Sequence, residues 1–542
     1  MKIGIKFIFA DMDHKKISTL SRSRSFLIKS AVSIGLFAVL LGFIIDSTKI
    51  PASLKIQNSL QSACPWLNES EILSVVNKSN QYELINFLKS KKGDTFTNVE
   101  IADLARNGDL EKALILKIPQ NLLSKEEQEA LVLFNQSILE KNNPAHLSKL
   151  KTYALRKEPI RFASELVADA LSAKGEKEKA NQFYKLELKN FPQSYHSKSK
   201  IIISHIESGD LKEAKELFND QELRESLDFK TFKIIAIKLN EWTALTIKSY
   251  YLAFSELSLP WIMVTLFTAL IWFLIVTNLG QLSGDTFIRL TLYGSAFISG
   301  FLSTFIVLGL VYWQENKFGL QINGETVNDI IYCICGIGLR EELIKVVFFS
   351  PFLLILRKRR IPMEALACAA CVGLGFACSE NILYFGSGFE SAVFPRFLTA
   401  NFLHTSLTAI VGLSMYHWII NPLRGWDNFL KDFVIVVTAH GAYDALVGIV
   451  PKLANSMGIL SIVIFAVIAN SYLNVAKKIR SGPPSKISPL GIFIIGSSLL
   501  IGVSWNLACY LYNFREVILL IGQSTLSLGA LGFIFINQFR NE

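Results

Sequence analysis

Residues 326–360 read TVNDIIYCICGIGLREELIKVVFFSPFLLILRKRR. Apart from a few positions this stretch is apolar, and it exceeds the roughly 20 residues a helix needs to cross a hydrocarbon core of about 30 Å. It ends on Arg357-Lys358-Arg359-Arg360, a basic cluster of the kind that stays on the cytoplasmic side. Its middle nevertheless carries Arg340, Glu341, Glu342 and Lys345. An ionised side chain in lipid costs a few kcal/mol or more, so each of these needs a partner or a task. The stretch predicts one pass of a helical membrane bundle with polar groups in its interior, with a break near Gly336–Gly338.

The segments around it extend that reading. Comparable apolar runs cover about 258–277, 287–313, 363–385, 397–420, 431–450, 457–476, 488–511 and 515–535. A basic stretch with Lys2, Lys6, Lys15, Lys16, Arg22, Arg24 and Lys29 precedes a further run, Ser30–Ile45, in signal-anchor fashion. The expected fold is therefore all-α, a polytopic bundle of about 9–10 spans. Starting from a cytoplasmic N-terminus, ten spans put both Arg357–Arg360 and Lys477-Lys478-Ile479-Arg480 in the cytoplasm. The polar residues 51–257 then lie outside, and the membrane domain occupies 258–542. Composition agrees: of 542 residues, 51% are hydrophobic and only 18% charged, too few charges for a soluble chain and too many apolar groups for a disordered one. The net charge of +10 belongs to topology-setting loops rather than to a nucleic-acid surface. The seven cysteines form no disulfide framework, and Cys368-x-x-Cys371 reads as small packing residues in an apolar helix.

The polar part repeats itself. Gly108-Asp109-Leu110-Glu111-Lys112-Ala113 recurs as Gly175-Glu176-Lys177-Glu178-Lys179-Ala180 and Gly209-Asp210-Leu211-Lys212-Glu213-Ala214. The later copies stand about 34 residues apart and the earlier interval is nearly double, with Asn142-Asn143-Pro144 filling the intermediate turn. A turn glycine followed by an amphipathic helix at this period resembles tetratricopeptide repeats, whose stacked helix pairs present a concave surface to a protein partner.

Polar residues recur through the apolar half. Phe376-Ala377-Cys378-Ser379-Glu380-Asn381 ends the span after the opening stretch, His404 lies in the next, and His440-Gly441-Ala442-Tyr443-Asp444 in the one after. His440 and Asp444 share a helix face, as do Glu341 and Lys345, whereas adjacent Glu341 and Glu342 point about 100° apart and have different jobs. At about 1.5 Å per residue, Glu341 lies some 22 Å from its basic loop, Asp444 about 20 Å and His440 about 14 Å from the cytoplasmic start of their helix, and His404 about 12 Å from the outside. These groups converge in the outer half of the membrane. Arg289, Asp329, Glu364, Arg396 and His417 fall near helix ends and read as snorkelling side chains.

The ordered set Glu-Glu-x-x-Lys, Phe-x-x-x-Glu-Asn, His and His-x-x-x-Asp resembles the PrsW family, glutamic-type intramembrane peptidases related to the CAAX prenyl endopeptidases. The motifs cover 326–450; the external repeats lie outside the resemblance. It implies a catalytic set of Glu341, Glu342, Glu380, His404, His440 and Asp444, one of the paired glutamates activating water, with Lys345 and Asn381 in support. It further implies a membrane-protein substrate, a bacterial cell membrane and no cofactor. The related endopeptidases carry His at the Glu380 position and Asn at the Asp444 position, which leaves His440, then Asn381, as oxyanion partner. Arg396 precedes the histidine where the family often has a basic residue.

The residues themselves allow this chemistry. A carboxylate among apolar helices is a stronger base than one in water, and a histidine can donate to a developing oxyanion. Zinc held by Glu380, His404, His440 and Asp444 is the competing mechanism. A proton- or ion-coupled transporter is the rival class, since membrane carboxylates also form proton relays, but the duplicated halves common in transporters are not visible here. A non-catalytic scaffold is the third reading.

Overall fold

The computed structural model describes residues 14–49, 52–78, 97–108, 110–139, 144–256, 259–279, 286–386, 393–480, 487–527 and 529–539. The described residues are helical, with no strand among them. Their contacts divide the chain into two units, 50–245 and a second formed by 1–49 with 246–542, which includes helix α1 (Arg24–Thr48) after a short helix His14–Arg22.

Residues 50–245 build consecutive helix pairs, among them α2 (Ala163–Ala173), α3 (Lys177–Asn190) and α4 (Tyr195–Ser208), each packed on the next. All three repeat glycines adopt left-handed backbone: Gly108 at φ +82°, Gly175 at +82° and Gly209 at +86°. That conformation costs a side-chain-bearing residue energy, which explains glycine at each helix end. Ala180 and Ala214, five residues after their glycines, are buried, while Ala113 of the first copy is exposed. Of the intermediate turn, Asn142 and Asn143 lie outside the described residues.

A polar network ties these helices. Arg106 pairs with Glu165, whose other oxygen accepts from Ser194 Oγ (2.5 Å) and Ser197 Oγ (3.1 Å). Asp169 accepts from Tyr184 (2.6 Å) and contacts His196 Nε2 at 2.9 Å. Burial raises the Asp169 carboxyl, and the His196 and Arg106 contacts more than reverse this, to about 2. Glu187 accepts from the Phe162 amide (2.8 Å) at the start of α2; burial, helped by the neighbouring Glu165 charge, pushes its carboxyl up to about 7.

In the second unit, eight helices among the described residues are long and apolar enough to cross a membrane. They include α1, α5 (Leu259–Leu279), α6 (Thr286–Lys317), and, after a further helix α7 (Leu339–Phe349), α8 (Pro362–Gly386), α9 (Ala400–Ile420), α10 (Pro422–Asp444), α11 (Ile459–Ile479) and α12 (Pro489–Leu511). The spans of α8 and α9 are almost wholly enclosed. Close approach makes this possible: a Cβ on Gly300 of α6 would lie 1.9 Å from the Val372 carbonyl oxygen of α8, and one on Gly375 1.9 Å from that of Phe297. Cys368 and Cys371 are buried packing residues of the same helix.

Helices α1 and α12 run parallel. The Ser488 amide donates to Ser21 Oγ at one end (3.1 Å), Gly42 faces Trp505 further along, and Lys49 Nζ donates to the Cys509 (2.9 Å) and Tyr512 (2.5 Å) carbonyls at the other. Six uninterrupted candidate spans separate the two, and an even number would start α12 at the face where α1 ends. The interrupted stretch 326–359 supplies the missing pass: helix to Ile331, π-helix Tyr332–Gly338, α7, one 3-10 turn and helix Leu353–Arg359. After α12, α13 (Phe514–Ser527) and α14 (Gly529–Phe539) bring Gln538 back to Lys477 (Nζ–Oε1 3.0 Å). The break expected near Gly336–Gly338 is present in the stretch 326–359, as the π-helix Tyr332–Gly338.

The snorkelling reading fails for four residues. Glu364 is buried and accepts from Arg289 Nε (2.7 Å), Arg359 Nε (2.5 Å) and Arg359 Nη2 (2.8 Å), a staple between α6, the helix before α8, and α8 itself. Asp329 is buried and accepts from the Asn323 (2.9 Å) and Gly324 (3.2 Å) amides. Arg396 belongs to the polar cluster around Lys345. Helices packed side by side offered Arg289, Glu364 and Arg396 their partners, and the turn before its own helix did so for Asp329.

Candidate active site

A π-helical turn holds an extra residue in the backbone ladder and often marks a functional position. Tyr332–Gly338 ends immediately before α7 and crosses α10 at very short range. A Cβ on Gly338 would sit 2.5 Å from the Val437 carbonyl oxygen, and one on Gly441 2.5 Å from that of Cys333. This glycine crossing sets the first turn of α7, with Glu341 and Glu342, against His440 of α10. On the other side, Gly373 of α8 lies against the His404 backbone of α9, where a Cβ would come within 2.2 Å of the carbonyl oxygen.

Lys345 stands at the centre and is fully buried. Its Nζ lies 2.8 Å from Glu342 Oε1, 3.4 Å from Glu341 Oε2 and 2.8 Å from His404 Nδ1, and 3.9 Å from the centroid of the Phe376 ring. An ammonium donates, so His404 Nδ1 accepts and its Nε2–H donates to Glu380 Oε2 at 3.0 Å. His440 Nδ1 meets Glu342 Oε1 at 2.7 Å, leaving Nε2 facing Asp444 Oδ2 (3.5 Å) and Glu341 Oε2 (3.7 Å). Glu380 also accepts from Arg396 Nη2 (2.9 Å), whose Nε donates to Asn381 Oδ1 (2.5 Å). Asn381 Nδ2 then donates to Asn401 Oδ1 (2.7 Å).

All eight residues singled out in the sequence thus lie in one connected network. They are not equally enclosed: Glu342 and Lys345 are wholly buried, while the Glu380 and Asp444 side chains are each 21% exposed and form the rim. Glu342 Oε2 is buried without a hydrogen-bond partner. Asn381, the second choice for an oxyanion donor, already bonds Arg396 and Asn401. Asn401 escaped the sequence reading; a buried amide one turn before His404 was its available signal. Arg396, read at first with the helix-end cations, is the guanidinium that neutralises Glu380.

The ligand atoms of Glu341, His404 and His440 lie within 4.8 Å of one another, close enough for a metal ion. This triplet takes Glu341 in place of the Glu380 and Asp444 of the sequence-based zinc set. Two histidines and a glutamate are a proper zinc donor set. The Lys345 ammonium, however, already binds His404 Nδ1 and approaches Glu341 Oε2. A dication about 3 Å from an ammonium is repelled by about 10 kcal/mol at an effective dielectric near 20. The cluster with Lys345 in this place does not fit a metal.

Residues 289–517 match the family described as PrsW family intramembrane metalloprotease, a segment that contains every residue of the cluster. No curated protein and no solved structure matches the chain. With the motifs in order on successive helices and their side chains in one network, residues 289–517 are similar to the PrsW family of intramembrane metalloproteases.

Proposed function

We propose that the chain is an intramembrane endopeptidase that hydrolyses a peptide bond of a membrane protein with water activated by Glu341. The observation that carries this reading is the single buried network drawn from four successive helical segments. Glu341 is the better base of the pair because its side chain keeps 11% exposure beside the rim, whereas Glu342 is enclosed with Oε1 shared by Lys345 and His440. Glu341 takes a proton as the water oxygen attacks the carbonyl carbon, and returns it to the departing amine when the C–N bond breaks. Glu342 and Lys345 are positioning residues: they hold His440 and His404 in fixed orientations. His440 Nε2 faces the rim, and as an imidazolium it donates to the oxyanion. Zinc is the competing supplier of an activated water, favoured by the family's description and opposed by the place of Lys345.

The same proposal sets the N-terminus and the loops after Arg357 and Lys477 in the cytoplasm of a bacterial cell. It puts the repeat unit outside, where it recruits or screens protein substrates. The decisive experiment is cleavage of a co-expressed single-span reporter. Glu341→Gln should lower cleavage by about 10²–10⁴-fold, the usual contribution of a general base. Wild-type cleavage by both Glu341→Gln and Glu342→Gln would sink the glutamate mechanism.

A further inference from the structure

We propose that the Lys345 ammonium is the resident cation of this cluster, tethered by its own side chain in the place where a hydrolase with the same donors would hold a metal ion. Its surroundings are those of a bound cation. A histidine nitrogen and two carboxylate oxygens lie within 3.4 Å of Nζ, an aromatic face closes the shell, and the residue is inaccessible to solvent. Two of those three donors, Glu341 and His404, belong to the triplet spaced for a metal. The third member, His440, bonds the same Glu342 oxygen as Lys345. Lysine and metal would therefore draw on the same side chains.

Charge makes the competition sharp. Four carboxylates, Glu341, Glu342, Glu380 and Asp444, face three cations, Lys345, Arg396 and the His440 imidazolium of the peptidase reading, and Arg396 is committed to Glu380 and Asn381. Removing the ammonium leaves an acidic, histidine-lined hole walled by helices, with Glu342 Oε2 already lacking a partner. Such a hole is a site for a divalent cation. Lys345 in this account is a positioning residue: it orients His404 and Glu341 and keeps zinc away.

The assignment draws its meaning from the peptidase reading, but its test reads metal rather than cleavage, so either can fail alone. Full-length protein in detergent is dialysed against Zn²⁺, or against Co²⁺ for its visible absorption, and metal is counted per chain. Wild type and Lys345→Arg should retain less than about a tenth of an equivalent, and Lys345→Met about one equivalent that is lost again on adding His440→Ala. Folding of Lys345→Met is checked by its elution profile, with Lys345→Gln as the substitute if it is not recovered. One equivalent on wild type that leaves with His440→Ala overturns the proposal. So does a folded Lys345→Met or Lys345→Gln that binds no more than wild type. Should neither variant be recovered, wild type and Lys345→Arg decide: zinc on either that leaves with His440→Ala refutes the assignment, and no such zinc on both supports it.

Discussion

Two glutamates of the membrane unit are equally buried and otherwise opposite. Glu364, beside the basic loop, has both oxygens bound by the guanidinium groups of Arg289 and Arg359. Glu342, in the cluster, shares one oxygen between Lys345 and His440 and leaves the other without a partner. Burial of a carboxylate is therefore no sign of chemistry by itself. What separates the two is completeness: a saturated pair is a staple, while an unsaturated one beside titratable, half-open neighbours keeps capacity for a reacting molecule.

The strongest challenge to that contrast is Glu364→Gln. It leaves two guanidinium groups without their acid, and breaking such a pair should cost about 3–5 kcal/mol of stability. Thermal unfolding in detergent reads the loss; cleavage per folded molecule should stay at the wild-type level, and a selective fall in cleavage would erase the distinction between the two glutamates.

Glu187 of the repeat unit extends the contrast to a second kind of unsaturated carboxyl, with no histidine rim of its own. Burial lifts it from 4.5 to about 7, so the fold favours its neutral form. Its contribution is undiminished below about 4.5, and stability falls as pH rises through 4.5 to about 7. Glu187→Gln, neutral throughout, should remove up to about 3 kcal/mol of this dependence. Hydrogen exchange of the α2 amides in the full chain, followed from pH 5 to 8, measures it; the same decline in the variant would refute the assignment.

The smallest effect belongs to a charge at the bundle's edge. Lys49 caps the carbonyls of Cys509 and Tyr512 and pairs with Asp46 at 2.7 Å. Partly solvated, it should be worth about 1 kcal/mol, so Lys49→Met lowers the unfolding temperature slightly and leaves cleavage intact. A change as large as that of Glu364→Gln would mean that the α1–α12 pairing is central to the bundle.

How far the sequence could be read follows from the same physics. Apolar runs and basic loops made the polytopic all-α class legible, and Glu341, Glu342, Glu380, His404, His440 and Asp444 stood out because charge is rare in such runs. The glycines of the 34-residue repeat were legible for a similar local reason, since a helix end in left-handed backbone selects glycine. Arg289 and Glu364 were misread because they lie 75 residues apart and meet only when α6 packs on α8.

Chain order and composition alone determined that several apolar segments in succession carry polar groups. Only the tertiary structure decided which of two adjacent glutamates is enclosed, that Lys345 takes the central place, and that Arg396 answers Glu380. Neighbouring residues on a helix point about 100° apart, so their surroundings are set by the helices they meet. Those meetings depend on where glycines such as Gly338 and Gly441 let backbones touch.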